Sequence, residues 1–180
     1  MARTAPTAPT TTSPVAPAIA LRPATAADID TIADIWQRGW LDAHLGRVPA
    51  ALLDYRRPED FQALVPARLA TTTVAERSSA DGDAAILGFV TWHDDEIEQL
   101  YVDAPARGTG VAGALFAQGE AAISARFPRA WLAVVAGNAR ARRFYERSGW
   151  SDAGPYDYAA RTTGETTVPV PVHRYEKSLR

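Results

Sequence analysis

Along residues 19–180 the apolar positions recur with helical and strand periods in turn, and they predict alternating helices and strands. Residues 19–22 read as a short strand. Thr25 reads as a helix N-cap with Asp28 as its capping-box acid, and Ile29, Ile32, Trp36 and Trp40 follow at helical spacing, with Gly39 near the stop. Residues 42–49 read as loop. Residues 55–69 read as a second helical region, interrupted by Pro58 and Pro66. Residues 71–76 are strand-like, 78–83 a polar turn, and 85–93 a strongly apolar strand. Asp94-Asp95 turns that strand into a hairpin with 96–102. A long helix over 109–127 buries Val111, Leu115, Phe116, Gly119, Ala122 and Ile123, and Pro128 follows its end. Residues 130–135 form a continuous apolar strand in a central position. Asn138 caps a helix over 139–148 that stops at Gly149. Strand returns from Trp150, turns near Thr163-Gly164, and ends with 168–176. Pro169 and Pro171 make this last strand an edge or irregular element. No internal repeat is visible.

Residues 1–18 break this pattern. They are almost all Ala, Pro and Thr, too poor in burial to offset the entropy of ordering, and read as a disordered tail ahead of one domain over 19–180. A targeting segment fits less well, because the tail has no apolar middle and only Arg3 precedes Arg22.

Composition then narrows the chemistry. The chain has 180 residues, 47% hydrophobic and 22% charged, as expected of a soluble globular protein. No apolar run is long enough for a membrane span, and a net charge of -2 gives no electrostatic case for nucleic acid. Cysteine is absent, which excludes disulfides, a zinc knuckle and a thiol nucleophile. Lys177 is the only lysine and lies near the C-terminus, in a position expected to fray. His44, His93 and His173 are isolated, so no metal site is expected.

The most informative stretch is 96–112. A strand ends at Val102, and Arg107-Gly108-Thr109-Gly110-Val111-Ala112 then leads into a helix. Glycines let backbone N–H groups converge on an anion, and the helix start adds free N–H groups and the positive end of its dipole, so the loop suits a phosphate or pyrophosphate. Gly108, Gly110 and Gly113 also fit the dinucleotide fingerprint. Here, however, residues 103–107 separate strand from glycine, and the acid expected after the next strand is missing from 131–137. Gly108 and Gly113 have the P-loop spacing, but Ala114 and Leu115 stand where its lysine and hydroxyl belong.

This loop resembles the acyl-CoA pyrophosphate loop of the GNAT N-acetyltransferase superfamily. Leu100-Tyr101-Val102 resembles that family's preceding strand, and Asn138, Ala141, Phe144-Tyr145-Glu146 and Gly149-Trp150 resemble its second motif. Residues 21–25 resemble its usual opening; Ala112 stands where many members have glycine. The resemblance covers about 19–180. It implies an α/β domain with a mixed, mostly antiparallel central sheet, flanked by helices and opened by a V-shaped splay that holds acetyl-CoA.

The resemblance further implies acetyl transfer to a primary amine of a small molecule or peptide by direct attack in a ternary complex. The backbone of Arg107, Gly108, Thr109, Gly110, Val111 and Ala112 would hold the pyrophosphate. Leu100, Tyr101 and Val102 would bind the pantetheine arm like a neighbouring strand, and an N–H there would polarise the thioester carbonyl. Asn138 would touch the coenzyme. Tyr145 would protonate the leaving thiolate. Glu96 or Glu98 would take the proton of the ammonium, directly or through water, with Glu96 the first choice by position. The end of the first helix and the next loop line the acceptor site in relatives, so Trp40, Asp42 and His44 are candidates there. No metal is implied. A homodimer is expected by family habit, and a cytoplasmic location is expected. The rivals are a non-catalytic acyl-CoA-binding module and a nicotinamide-dependent oxidoreductase, the second already short of its acid.

Overall fold

The computed structural model describes residues 19–78, 84–164 and 166–180. The chain runs β1 (Ile19–Pro23), α1 (Ile29–His44), α2 (Pro58–Leu64), β2 (Thr72–Ser78), β3 (Ala84–His93), β4 (Glu96–Val102), α3 (Val111–Ser124), β5 (Arg129–Val134), α4 (Ala139–Arg147), β6 (Ser151–Arg161) and β7 (Thr167–Ser178). Short 3-10 turns occupy Ala26–Asp28, Ala50–Tyr55, Pro66–Thr71 and Ala104–Ala106. The tail expected at 1–18 lies outside the described residues, as does most of the turn expected at 78–83.

One mixed seven-stranded sheet carries the order β1-β2-β3-β4-β5-β7-β6. All neighbouring strands are antiparallel except β4 and β5. Successive residues of a strand point to opposite faces, and the core divides accordingly. Val74 and Phe89 pack with Ile32, Trp36, Trp40 and Phe61 under α1 and α2. Ala75 and Val90 pack with Val111, Leu115, Phe116 and Ile123 of α3, where Phe144 and Tyr145 of α4 join them. Ala122, expected in the buried stripe of α3, is half-buried beside it.

The splay follows from the pairing. β4 and β5 share a single registered pair, Glu96 with Trp131. Trp131 fastens this vertex twice, its backbone N–H donating to the Asp95 carbonyl at 2.9 Å and its indole N–H to the Asp95 carboxylate at 3.0 Å. Beyond it β4 stays with β3, and β5 stays with β7 from Arg129–Ser178 to Val134–His173. The two halves of the sheet therefore open like a V.

Three expectations change. α1, expected to stop near Gly39 with loop from residue 42, runs on to His44, and Gly39 is a buried contact against the Tyr101 ring rather than a terminator. Asp42 and His44 thus belong to its last turn, not to a loop. β7 is interior between β5 and β6 over its second half. Its prolines lie in the first half, where Pro169 and Pro171 face only β6 and a missing N–H costs no bond to β5. Lys177 is no frayed terminus: its ammonium donates to Glu120 at 2.8 Å and to the Ser148 carbonyl at 2.9 Å.

Candidate functional site

A cleft of about 370 Å³ fills the mouth of the V. Its walls come from α1, β4, β5, α4, β6 and β7. On the β4 side, the strand edge from Ile97 to Val102 has no partner from β5, so its backbone N–H and C=O groups are open to a ligand lying along it. Leu100, Tyr101 and Val102 all line the cleft.

At the outer end of β4 the chain turns through the 3-10 segment Ala104–Ala106 into the glycine loop. Gly108 and Gly110 have φ of +80° and +92°, left-handed values that side chains rarely adopt. Gly110 immediately precedes α3, and the helix ladder begins with Ala114 N–H on the Gly110 carbonyl. The N–H groups of Val111, Ala112 and Gly113 therefore have no intrahelical acceptor, as at any helix start. The Thr109 hydroxyl donates to the Ala106 carbonyl at 2.7 Å and closes the loop. Arg107 donates to Asp42 at 2.9 Å, and Arg140, from the first turn of α4, reaches the same carboxylate at 3.1 Å. Arg140 and Arg107 hold the Asp42 carboxyl below its ordinary range. Loop, helix start and two arginines form a basic rim to the cleft.

Glu96 and Glu98 both line the cleft. Thr91 pairs with Gln99 while Trp92 pairs with Ile97, so Glu98 is the additional residue of a β-bulge. The two carboxylates have different environments. Glu98 is held by Arg68, which donates Nη2 at 2.8 Å and Nε at 3.2 Å to each oxygen. Glu96 has no such partner. Burial pushes its carboxyl up to about 7, the negative charge of Glu98 adds to the rise, and the Tyr158 hydroxyl opposes it with a hydrogen bond.

Across the V, the Asn138 side chain accepts the Ala141 N–H at 3.2 Å and starts α4. One helical step on, Tyr145 packs on Phe116 at 5.4 Å and on Tyr175 at 5.9 Å. Burial pushes its phenol up to about 12, and no side chain among the described residues binds its hydroxyl. Tyr145 and Asn138 line the same cleft as Glu96.

The α1 candidates separate. Trp40 and His44 line the cleft, stacked at 4.9 Å with 9° between their planes. His44 Nδ1 donates to the Trp40 carbonyl at 3.0 Å. Burial pushes the imidazole down to about 4, and the Arg56 and Arg47 charges add to the depression, so it is neutral at pH 7. Asp42 instead sits on the rim with the arginines. Sequence reasoning missed Arg56, Arg68, Gln99, Tyr158 and Arg140, which also line the cleft. Only Arg140, one turn into a capped helix beside a candidate phosphate loop, carried a local signal. Among the described residues no group of three or more His, Asp or Glu is placed to hold a metal ion.

Solved structures share this architecture. A GCN5-related N-acetyltransferase from Rhodopseudomonas palustris superposes with a TM-score of 0.65 at 20% identity, covering 92% of this chain and 99% of that one. YncA of Salmonella typhimurium, a putative acetyltransferase solved with its cofactor acetyl-CoA, gives 0.64 at 16% identity, over 91% and 95%. The PaiA N-acetyltransferase of Thermoplasma acidophilum, in complex with coenzyme A, gives 0.59 at 15% identity, over 89% and 99%. No curated protein sequence matches. The model of the acetyltransferase (GNAT) family matches residues 30–150, more than half of the chain and all of the splayed cleft's β4, glycine loop and α4. The chain belongs to the GNAT acetyltransferase family.

Proposed function

We propose that residues 19–180 form an acetyl-CoA-dependent N-acetyltransferase domain that acetylates a primary amine of a small molecule or peptide by direct attack in a ternary complex. The observation that carries this reading is the open β4 edge, which runs from Ile97 to Val102 and leads on to the glycine loop before α3. The coenzyme complexes of the Salmonella and Thermoplasma proteins support it. The β4 edge takes the pantetheine arm, and the loop from Arg107 to Ala112 takes the pyrophosphate. Glu96 removes the proton of the attacking ammonium. An alkyl ammonium has a pKa of about 10, and a carboxylate near 7 is better matched to accept from it than one at the usual carboxylate value. As the new C–N bond forms and the C–S bond breaks, a β4 N–H steadies the carbonyl oxygen. Tyr145 then gives its proton to the departing sulfur, and the second proton that the acetylated nitrogen sheds as it becomes an amide returns through water to the phenolate. The dry surroundings that raise the phenol also raise the proton affinity of a thiolate there.

Thermal melting with acetyl-CoA, CoA, NADH and ATP in parallel tests the coenzyme. A ligand at about 100 times its Kd adds roughly 2.7 kcal/mol, so acetyl-CoA and CoA alone should raise the transition by several degrees. A rise with NADH, or with none of them, rejects the reading. Tyr145→Phe should lose about 10²–10⁴-fold in turnover while CoA still raises the melting temperature; full activity in that variant removes Tyr145 as the acid.

A further inference from the structure

Two buried side-chain atoms among the described residues have no hydrogen-bond partner: Nε of Arg56 and Oε1 of Gln99. Both residues line the cleft. One atom is a donor on a permanent cation, and the other is an acceptor. Buried polar atoms are ordinarily satisfied, so two complementary orphans in one cleft point to a ligand.

Arg56 follows the 3-10 turn Ala50–Tyr55. It is anchored by neutral groups only, donating Nη1 to the Tyr55 carbonyl at 2.7 Å and Nη2 to the Arg161 carbonyl at 2.9 Å. Its guanidinium lies 5.5 Å from the centre of the Trp40 ring. The charged and titratable groups around it are Arg68, Asp60, Tyr101, Tyr158 and the neutral His44. Arg68 is committed to Glu98. The Asp60 carboxylate accepts the Arg57 N–H at 2.8 Å as part of the capping of α2. No carboxylate forms an ion pair with Arg56 among the described residues. A guanidinium drawn out of water without a counter-ion is costly unless something anionic completes it. Tyr158 neighbours both Arg56 and Glu96, so the unpaired cation and the unpaired carboxylate share one chamber.

We infer that the acceptor is a small molecule carrying an amine and a carboxylate together, the carboxylate taken by Arg56 and the amine presented to Glu96 with Gln99 Oε1 accepting one of its N–H groups. The inference rests on the proposed N-acetyltransferase reading and narrows its substrate class. A neutral amine leaves Arg56 uncompensated. An amino acid supplies opposite charges to the two groups that lack them, and a planar guanidinium with a free Nε–H suits a carboxylate better than an ammonium would.

The test uses the full chain and acetyl-CoA, with thiol release as the readout. The acceptors are free amino acids, including β- and γ-amino acids, each beside its own carboxamide. The carboxylate form of the acceptors used should exceed its carboxamide by roughly 10- to 100-fold in kcat/KM, the range for a charge-assisted hydrogen bond, and mainly through KM. Arg56→Gln should bring that ratio close to one by raising KM for the carboxylate form toward that of the carboxamide. Arg56→Lys, which keeps the charge without the fork, should give an intermediate ratio. A role confined to tying Tyr55 and Arg161 together would lower both acceptors alike. Equal use of acid and amide by the unmodified chain overturns the inference. A ratio that survives Arg56→Gln does so too, as does absence of transfer to every amino acid offered. If acetyl-CoA fails to raise the melting temperature, the N-acetyltransferase reading fails first and this inference falls with it.

Discussion

Glu96 and Glu98 carry the same side chain two positions apart on β4, and their surroundings divide their work. The bulge at Glu98 turns its carboxylate to Arg68, whose guanidinium makes three contacts with it within 3.2 Å and so occupies its oxygens. Glu96 is half-buried with no arginine or lysine hydrogen-bonded to it, and burial pushes its carboxyl up to about 7 against the opposing charge of Arg161. Activity should therefore rise with pH along a limb near 7, and Glu96→Gln should remove that limb together with about 10²–10⁴-fold of the rate; a pH–rate profile of both chains reads this directly. Stability moves the other way. Between the free value of 4.5 and about 7 the folded chain keeps a proton that the unfolded chain has released. The stability this carboxyl contributes is complete below about 4.5 and is lost as pH rises through 7. Glu96→Gln should thus melt a few degrees above the parent at pH 8 and show no such gain at pH 4.5. A variant that melts lower at pH 8 would mean that Glu96 is stabilised as an anion and is not poised as a base.

At the scale of the elements, the legible features were the local ones. The Thr25–Asp28 pair that opens α1 is local, and so are the alternation of β3 and β4, the Asn138 cap and the two left-handed glycines before α3. Each is set by residues within a few positions of one another, and each element lies where the pattern put it, the left-handed φ of the glycines being added by the structure. What the pattern could not carry is contact across the chain. Asp28 is also held by Arg22, which reaches Glu76, 54 positions from itself; Arg68 meets Glu98 across 30 positions. Gly39 read as lying near the stop because a glycine in a helix usually costs stability, whereas here its bare Cα lets α1 settle on Tyr101. A methyl group at this position would meet the Tyr101 ring. Gly39→Ala should accordingly cost about 1–3 kcal/mol, despite alanine's better helix propensity, and displace a wall of the cleft. Differential scanning calorimetry would show the transition lowered by several degrees; an unchanged or higher transition would mean that α1 shifts freely over β4.

The whole molecule brings together what neither a residue nor an element holds. Asp42 ends α1, Arg107 precedes α3 and Arg140 begins α4, separated by 65 and 98 positions from the acid they share. The seven-stranded sheet sets these three ends around one rim, so a single carboxylate neutralises part of the basic surface that the proposed coenzyme must meet. A pyrophosphate offers two arginines more charge than Asp42 does, and Asp42 is then a competitor. The three side chains are substantially exposed, and exposed ion pairs are each worth about 0.2–1 kcal/mol. Asp42→Asn should therefore bind CoA about two- to fivefold more tightly, leave pantetheine without phosphates unchanged, and lose its advantage as salt screens the rim. Titration calorimetry with both ligands over a salt series measures all three effects. Weaker CoA binding in Asp42→Asn would reverse the assignment: the carboxylate would then be aiming Arg107 and Arg140 at the phosphates, and the bridge across the rim would belong to the binding site as it stands.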